Sequence, residues 1–370
     1  MKASPNPRMA VDRKVYKAFT TSLLRWYRAA GRDLPWRYTS DPYAVWVSEI
    51  MLQQTQVATA LPYYRRFLTV FPTVEALAAA PLERVLKIWQ GLGYYARVRH
   101  LHRAAQLVVR QYRGEIPADF KTLQVLPGIG RSTAGAILTI AFGQRYPILD
   151  GNVRRVLCRF FAIRKDPKEK PVNDWLWTCS EALLPKRAPG LFLQAIMDLG
   201  ATVCKPVKPL CDQCPVQKGC RADQEGIQAL IPLKRTAKAI PHFDYMAGVI
   251  VHKGEVLIHR RPLKGLLAGL WEFPGGRLKP DRGQASLNTP GKAAMRLFLK
   301  KELNMNCSVT QSWMTVQHAF THFRMTLHVF KGCSKDKSAL PPSFKWAPCT
   351  SLGDYPFSAA HQKIVLKLTE

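Results

Sequence analysis

The chain is 370 residues long and 47% hydrophobic, with 55 Lys and Arg against 25 Asp and Glu, a formal charge of +30. That apolar content excludes a disordered chain, and the length leaves room for about two or three domains, each with its own core. No apolar run approaches the ~20 residues of a bilayer span and the first residues lack the apolar segment of a secretory signal, which excludes a membrane partner and points to the cytoplasm, on the nucleoid if bacterial.

So large a cationic excess selects a polyanion as partner, nucleic acid first, with a basic surface kept only for solubility as the alternative. In chain order, Val11 to Gly31 reads as one amphipathic helix with Phe19, Leu23, Leu24, Trp26 and Tyr27 on its buried side. Leu34-Pro35-Trp36-Arg37 breaks it. Asp41-Pro42 then starts a helix through Tyr43–Gln56, with Asp as cap and Pro in the first turn. Glu49 lies in this helix with Val45 and Leu52 at helical spacing. A carboxyl on a largely apolar face is pushed up in pKa by desolvation and suits a general acid; the alternative is a glutamate at the helix edge with its head in water. Further helices are expected over Leu61–Phe71, Pro81–Trp89 and Arg97–Tyr112.

Leu126 to Asn152 opens with the turn Pro127-Gly128-Ile129-Gly130 between two helical segments. Gly128 and Gly130 allow a tight backbone with outward amides, suited to gripping a phosphate without reading a base; an ordinary helix connection is the alternative. The second helix is expected to end near Gly143, and Asp150 stands at the head of the next. The helix N-terminus is expected to keep Asp150 ionised, a plain cap being the alternative. A neutral carboxylic acid beside an ionised carboxylate is the pairing that glycosidic cleavage requires.

Of nine cysteines, Cys158, Cys179, Cys307, Cys333 and Cys349 are scattered, whereas Cys204, Cys211, Cys214 and Cys220 form a C-x6-C-x2-C-x5-C cluster. Four thiolates in a reducing compartment hold zinc or an iron–sulfur cluster; a single knuckle between two longer arms favours the latter without settling it. Lys205, Lys208 and Lys218 interleave with these ligands and offer charge to phosphates.

Strand signals are nearly absent before residue 230, so the first part is expected to be all-α. A connector at 226–240 contains Ile231-Pro232-Leu233-Lys234-Arg235. Beyond it, Met246–Val251 and Glu255–Arg260 read as a hairpin through His252-Lys253-Gly254. Gly265–Gly276 reads as a glycine-rich loop, Lys292–Leu303 as a helix and Val316–Phe330 as further strand, an α+β part over 241–370.

With these pieces in place, the chain resembles the helix–hairpin–helix DNA glycosylases, and among them the MutY-type adenine glycosylases. The resemblance spans almost the whole length and rests on LPWR, WVSEIMLQQTQV, GLGYYARVRHLH, LPGIGRSTAGAIL, ILDGNVRRVL and the four cysteines, all in the family's order. It implies an all-α catalytic region over 1–225 with the cluster loop at 204–220, the connector 226–240, and a Nudix-like domain over 241–370. It makes Glu49 the acid that protonates adenine and later activates water, Asp150 the group that stabilises the sugar cation, and Asn152 their support. Trp36, Arg37 and Gln194 match positions around the adenine, and Gln54 and Tyr94 match residues inserted into the base stack. Gly128, Gly130 and Ser132 match the DNA-gripping hairpin, and the cysteines match a structural [4Fe-4S] cluster. The implied partner is duplex DNA carrying A opposite 8-oxoguanine or guanine, bound by a monomer.

Ser132 separates this reading from the endonuclease III-like glycosylase/lyases, which carry Lys there. A serine hydroxyl forms no Schiff base, so base removal without efficient strand scission is expected. Family members with Tyr in that place make a contact that does not carry over to Ser132. The segment Gln317-His318-Ala319-Phe320-Thr321-His322-Phe323 matches the family's Phe-Ser-His loop for 8-oxoguanine, with Phe320, Thr321 and His322 as the reading residues and Thr in place of Ser. A hydrolytic Nudix site needs several carboxylates after its Gly-Gly loop, but Arg296-Leu297-Phe298-Leu299-Lys300-Lys301 follows Gly275-Gly276, with Glu302 as the acid nearby. A reader domain is therefore expected rather than a pyrophosphohydrolase. A non-catalytic DNA-binding protein is the remaining alternative.

Overall fold

The computed structural model describes residues 12–233, 239–278, 291–337 and 339–370; Val11, Lys234 and Arg235 of the segments named above lie outside them. The chain divides into two compact units, Met1–Ala79 with His100–Ala237 and Ala80–Arg99 with Lys238–Glu370.

The first unit is helical. Along the chain run α1 (Arg13–Ala30), α2 (Pro42–Leu52), α3 (Val57–Val70) and α4 (Val74–Ala79); α5 (Leu82–Trp89) and the first residues of α6 (Ala96–Tyr112) belong to the other unit. There follow α7 (Phe120–Gln124), α8 (Arg131–Ile140), α9 (Gly151–Phe160), α10 (Lys170–Leu183), α11 (Pro189–Asp198) and the short α12 (Arg221–Gln224). Phe19, Leu23 and Tyr27 recur every fourth residue of α1 and are buried, while Leu24 and Trp26 pack half-buried at the edge of the same core. There they meet Val153, Val156, Leu157 and Phe160 of α9 and Phe192, Leu193 and Ile196 of α11. Each such side chain contributes about 1.5–3 kcal/mol by leaving water.

Asp41 caps α2 as expected, its carboxylate accepting the amides of Tyr43 and Ala44 at 3.0 and 3.2 Å. The helix stops at Leu52, short of Gln56, because Gln54 takes a left-handed backbone (φ 58°) that a helix cannot continue. The helix after the glycine turn likewise ends at Ile140, before the left-handed Gly143.

The second unit is built on a sheet of seven strands, β1 (His242–His252), β2 (Glu255–Arg260), β3 (Trp271–Glu272), β4 (Gly275–Arg277), β5 (Cys307–Ala319), β6 (Arg324–Ser334) and β7 (Phe344–Pro348). The order is β3-β2-β1-β6-β5, with β4 also pairing β1 and β7 pairing β2; β1 and β6 run parallel. The helix α13 (Gly291–Leu303) covers one face through Met295 and Leu299, against Ile250 and Phe330. The helix α14 (Ala359–Thr369) covers the other through Ile364, against Val249 and Val329. Met246 to Ile250 are consequently buried without alternation, as in strands covered on both faces.

The expected glycine-rich loop 265–276 contains β3 and reaches into β4. Gly275 (φ 159°) lets β4 approach β1 so closely that an added Cβ would stand 2.0 Å from the Met246 carbonyl oxygen. Among the described residues no helix is long and apolar enough to cross a membrane.

Candidate functional site

Glu49 sits on the third turn of α2, partly accessible but surrounded by the buried Val45, Trp46 and Ile50. Burial pushes its carboxyl up to about 7, the negative charge of Asp150 pushes the same way, and the Arg37 guanidinium opposes both. Asp150 is the N-cap of α9 and accepts the Val153 amide at 2.7 Å. Its pKa, expected to fall at a helix N-terminus, rises instead. Desolvation outweighs the Val153 and Asn152 amides and the Arg155 and Arg154 charges. The site therefore holds two carboxyls that burial makes resist ionisation, and the Asp150 charge adds to that resistance at Glu49.

Arg37 comes from the turn Pro35–Arg37 that interrupts the chain after α1. Its Nη2 lies 2.5 Å from Asp198 Oδ1 and its Nη1 donates to the Tyr27 hydroxyl, which in turn donates to Gln194 Oε1 at 3.2 Å. Arg37 Nε is buried with no acceptor among the described residues, a donor left for something not present in the chain itself. Trp36 beside it is buried edge-to-face on Tyr64, with ring centroids 5.1 Å apart. Arg37 and Gln194 thus converge through Tyr27, which the sequence reading marked only as core.

At the turn, Gly128 (φ 82°) lies so near His100 that a Cβ there would stand 2.9 Å from the His100 Cβ. Gly130 is the N-cap of α8 with open space before it. Ser132 Oγ accepts the Leu149 amide at 3.0 Å, fastening the start of α8 to the segment that leads to Asp150. Gln53 Nε2 donates to Thr133 Oγ1 at 3.2 Å and ties the end of α2 to α8. Gln54, next to it, is exposed.

Cys204, Cys211, Cys214 and Cys220 line one cavity, together with Arg159, Gln217 and Asp223. No three donors among the described residues close into a metal-binding arrangement, yet four soft thiol ligands line one space, a donor set that fits an iron–sulfur cluster or a zinc ion. Burial pushes the Cys211 and Cys214 thiols up to about 12, so a metal must displace their protons to bind. Two arginines frame this loop. Arg155 Nη2 reaches Asn152 Oδ1 at 2.7 Å and the Gly200 carbonyl at 2.6 Å, and its Nε reaches the Cys204 carbonyl at 2.7 Å. Arg159 is 2% exposed and spends its guanidinium on Cys204 Sγ (3.4 Å), the Lys205 carbonyl (2.6 Å) and the Ile231 carbonyl (2.9 Å). Asn152 is thereby joined to the cysteine loop. A charged residue at an apolar-face position of α9 is the sequence signal that marks Arg159.

Within the second unit, Phe320 and Phe323 stack 4.6 Å apart and close the β5–β6 turn through a 2.8 Å backbone bond, leaving Thr321 and His322 exposed at its tip. Tyr94, with a left-handed backbone (φ 49°), brings its hydroxyl 3.2 Å from Thr321 Oγ1. Glu302, exposed on α13, is the single acid of that helix.

Residues 47–181 match the HhH-GPD superfamily of base excision DNA repair proteins, and residues 246–367 match the NUDIX domain. The chain is 37% identical to the rat adenine DNA glycosylase over 403 residues, covering 94% of this chain and 77% of that one. The human adenine DNA glycosylase is 36% identical over 404 residues, with 94% and 73% covered. That of Buchnera aphidicola subsp. Acyrthosiphon pisum is 36% identical over 312 residues, with 84% and 85% covered. Among solved structures, a thermostable thymine-DNA glycosylase superposes with a TM-score of 0.53 at 30% identity, over 57% of this chain and 98% of that one. An endonuclease III–DNA covalent intermediate shares the fold, with a TM-score of 0.51 at 22% identity over 59% and 99%.

Proposed function

The chain belongs to the adenine DNA glycosylases, and we propose that it removes adenine opposite 8-oxoguanine, or opposite guanine, with Glu49 as general acid and Asp150 as the stabiliser of the sugar cation. It is a monofunctional glycosylase that hydrolyses an N-glycosidic bond, and DNA is its partner. The observation that carries the site assignment is the half-buried pair of Glu49 and Asp150, in which Glu49 keeps its proton up to about 7.

An acid on a buried helix cannot reach a base inside a duplex, so the adenine must leave the stack. In the cleft it meets Trp36, Gln194 and the unpaired Nε of Arg37. Glu49 delivers its proton to the adenine, and the C–N bond breaks with its electron pair going to the base. The positive charge left on the sugar is held by the Asp150 carboxylate, which the Val153 and Asn152 amides keep in place while Arg155 holds the Asn152 side chain. Glu49, now ionised, takes a proton from the water that completes hydrolysis. Ser132 is occupied with the Leu149 amide and supplies no amine, consistent with a duplex left uncut.

Gly128 and Gly130 present backbone amides to the phosphates, and the left-handed backbones of Gln54 and Tyr94 suit side chains that enter the base stack. Phe320, Thr321 and His322 read the opposite base. Cys204, Cys211, Cys214 and Cys220 hold a [4Fe-4S] cluster whose contribution is structural: it orders the loop that carries Lys205, Lys208 and Lys218 toward DNA. The protein acts as a monomer in the cytoplasm, on the nucleoid, with a catalytic region at 1–225, a connector at 226–240 and a lesion reader at 241–370.

The test is single-turnover excision from a duplex with one A opposite 8-oxoguanine, read with and without hot alkali. The expected product is an intact strand that breaks only in alkali, and Glu49→Gln binds the duplex but releases no adenine. Adenine release by Glu49→Gln at the wild-type rate refutes the site; scission without alkali refutes the monofunctional mechanism.

A further inference from the structure

Asp198 is the last residue of α11, its side chain 1% exposed in a chain whose formal charge is +30. A carboxylate buried this completely has to be compensated. Two cations do so. Arg32, in the segment after α1, donates its backbone amide to Oδ2 at 3.1 Å, and its Nε and Nη2 approach Oδ1 at 2.9 and 2.5 Å. Arg37 Nη2 approaches the same Oδ1 at 2.5 Å. With the Tyr27 hydroxyl on Nη1, the Arg37 guanidinium is pinned at both ends while its Nε stays free.

We propose that Asp198 is a positioning residue for adenine excision: it anchors the Arg37 guanidinium beside Glu49 and withholds part of that cation's charge from the catalytic carboxyl. This rests on the assignment of Glu49 as the acid. The charged groups acting on Glu49 are Asp150 and Arg37; those meeting Asp198 are Arg32 and Arg37, with the titratable Tyr27 hydroxyl against the same guanidinium, its own pKa raised by burial and by the Asp198 charge. An unneutralised guanidinium would draw the proton off Glu49 before adenine arrives, because a nearby cation favours the carboxylate. Sharing Asp198 between Arg32 and Arg37 sets how much of that pull remains. The same bonds clamp the turn Pro35–Arg37 to α11, so a purely structural clasp is the competing account, and pH dependence separates the two.

The experiment measures single-turnover excision from the A:8-oxoguanine duplex between pH 5 and 9, using the whole protein with its cluster. Wild type, Asp198→Asn, Asp198→Glu, Arg32→Met and Glu49→Gln are compared. Asp198→Asn removes the counter-charge, and the basic limb of the rate profile should move down by about one pH unit, the order expected when one nearby charge in a half-buried site is left unneutralised. Its rate at pH 8 then falls about tenfold while that at pH 5.5 stays within about threefold. Asp198→Glu returns the wild-type limb. Arg32→Met leaves Asp198 wholly to Arg37 and moves the limb upward. A clasp alone predicts equal losses at every pH. Unmoved limbs in Asp198→Asn and Arg32→Met, or limbs moved in the same direction, overturn the proposal. If Asp198→Asn does not accumulate folded, the upward limb of Arg32→Met and the restored limb of Asp198→Glu decide it in the same way. Activity in Glu49→Gln would refute the underlying assignment instead, so the two failures are distinct.

Discussion

Glu49→Gln should leave the protein more stable than wild type above neutral pH while abolishing excision. The Glu49 carboxyl loses its proton at about 7 in the folded chain, against an ordinary value of 4.5. A raised carboxyl means that the folded state binds more protons than the unfolded state between those two values. Its contribution to stability is therefore greatest below 4.5 and is lost as pH rises through 7. Each pH unit between the two values is worth about 1.4 kcal/mol, so the full cost is about 3 kcal/mol; discounting for the accessible part of the side chain leaves about 2–3 kcal/mol. Gln keeps the shape and never ionises. Calorimetry of the two purified proteins at fixed scan rate should give Glu49→Gln a melting point about 5–10 °C above wild type at pH 8. At pH 5 the gap should shrink to about 1 kcal/mol, since that pH lies only about half a unit above the 4.5 at which the cost begins to accrue. A gap of equal size at both pH values, or none at pH 8, would refute the claim that the acid is held proton-bearing at the expense of stability.

Three further outcomes follow from the geometry. Gly128→Ala must place a Cβ 2.9 Å from His100 on a left-handed backbone, costing about 1–2 kcal/mol; thermal unfolding and duplex-binding titrations should both register it. Arg159→Met strips the donors from Cys204 Sγ and from the Lys205 and Ile231 carbonyls, each buried acceptor costing about 1–3 kcal/mol. Iron content and visible absorbance should fall by at least about half against a chelator that leaves wild type intact, a loss expected where metal binding and loop folding are coupled. Thr321→Ala removes one hydroxyl from the β5–β6 tip and should lower the preference for A:8-oxoguanine over A:G about tenfold, as judged by the ratio of kcat/KM, whereas Thr321→Ser keeps it.

Much of the fold was legible in local chemistry. Asp41 and Pro42 announce a helix start because both act within one turn, and α2 begins there. The end of α2 was not legible, because nothing in the apolar spacing beyond Leu52 reveals that Gln54 turns left-handed. The start of β4 was hidden by its glycines, of which Gly275 serves close approach to β1 rather than a loop. α13 and the β1–β2 hairpin stood out by periodicity and turn residues, with α13 starting at Gly291.

Residue identity by itself determined the chemistry the chain can offer: a hydroxyl and no amine at Ser132, four thiols within 17 residues, and a Nudix-type helix without its carboxylates. These are properties of single side chains and need no neighbours to be read. Tertiary packing alone decided the state of the acids. A helix N-terminus acts within a turn and favours an ionised Asp150, but desolvation sums over everything packed around the group, and it reversed that sign. For the same reason Asp198, one acid among 25 Asp and Glu in the sequence, acquires its partners only when α11 brings it to Arg32 and Arg37, which lie more than 160 residues earlier in the chain.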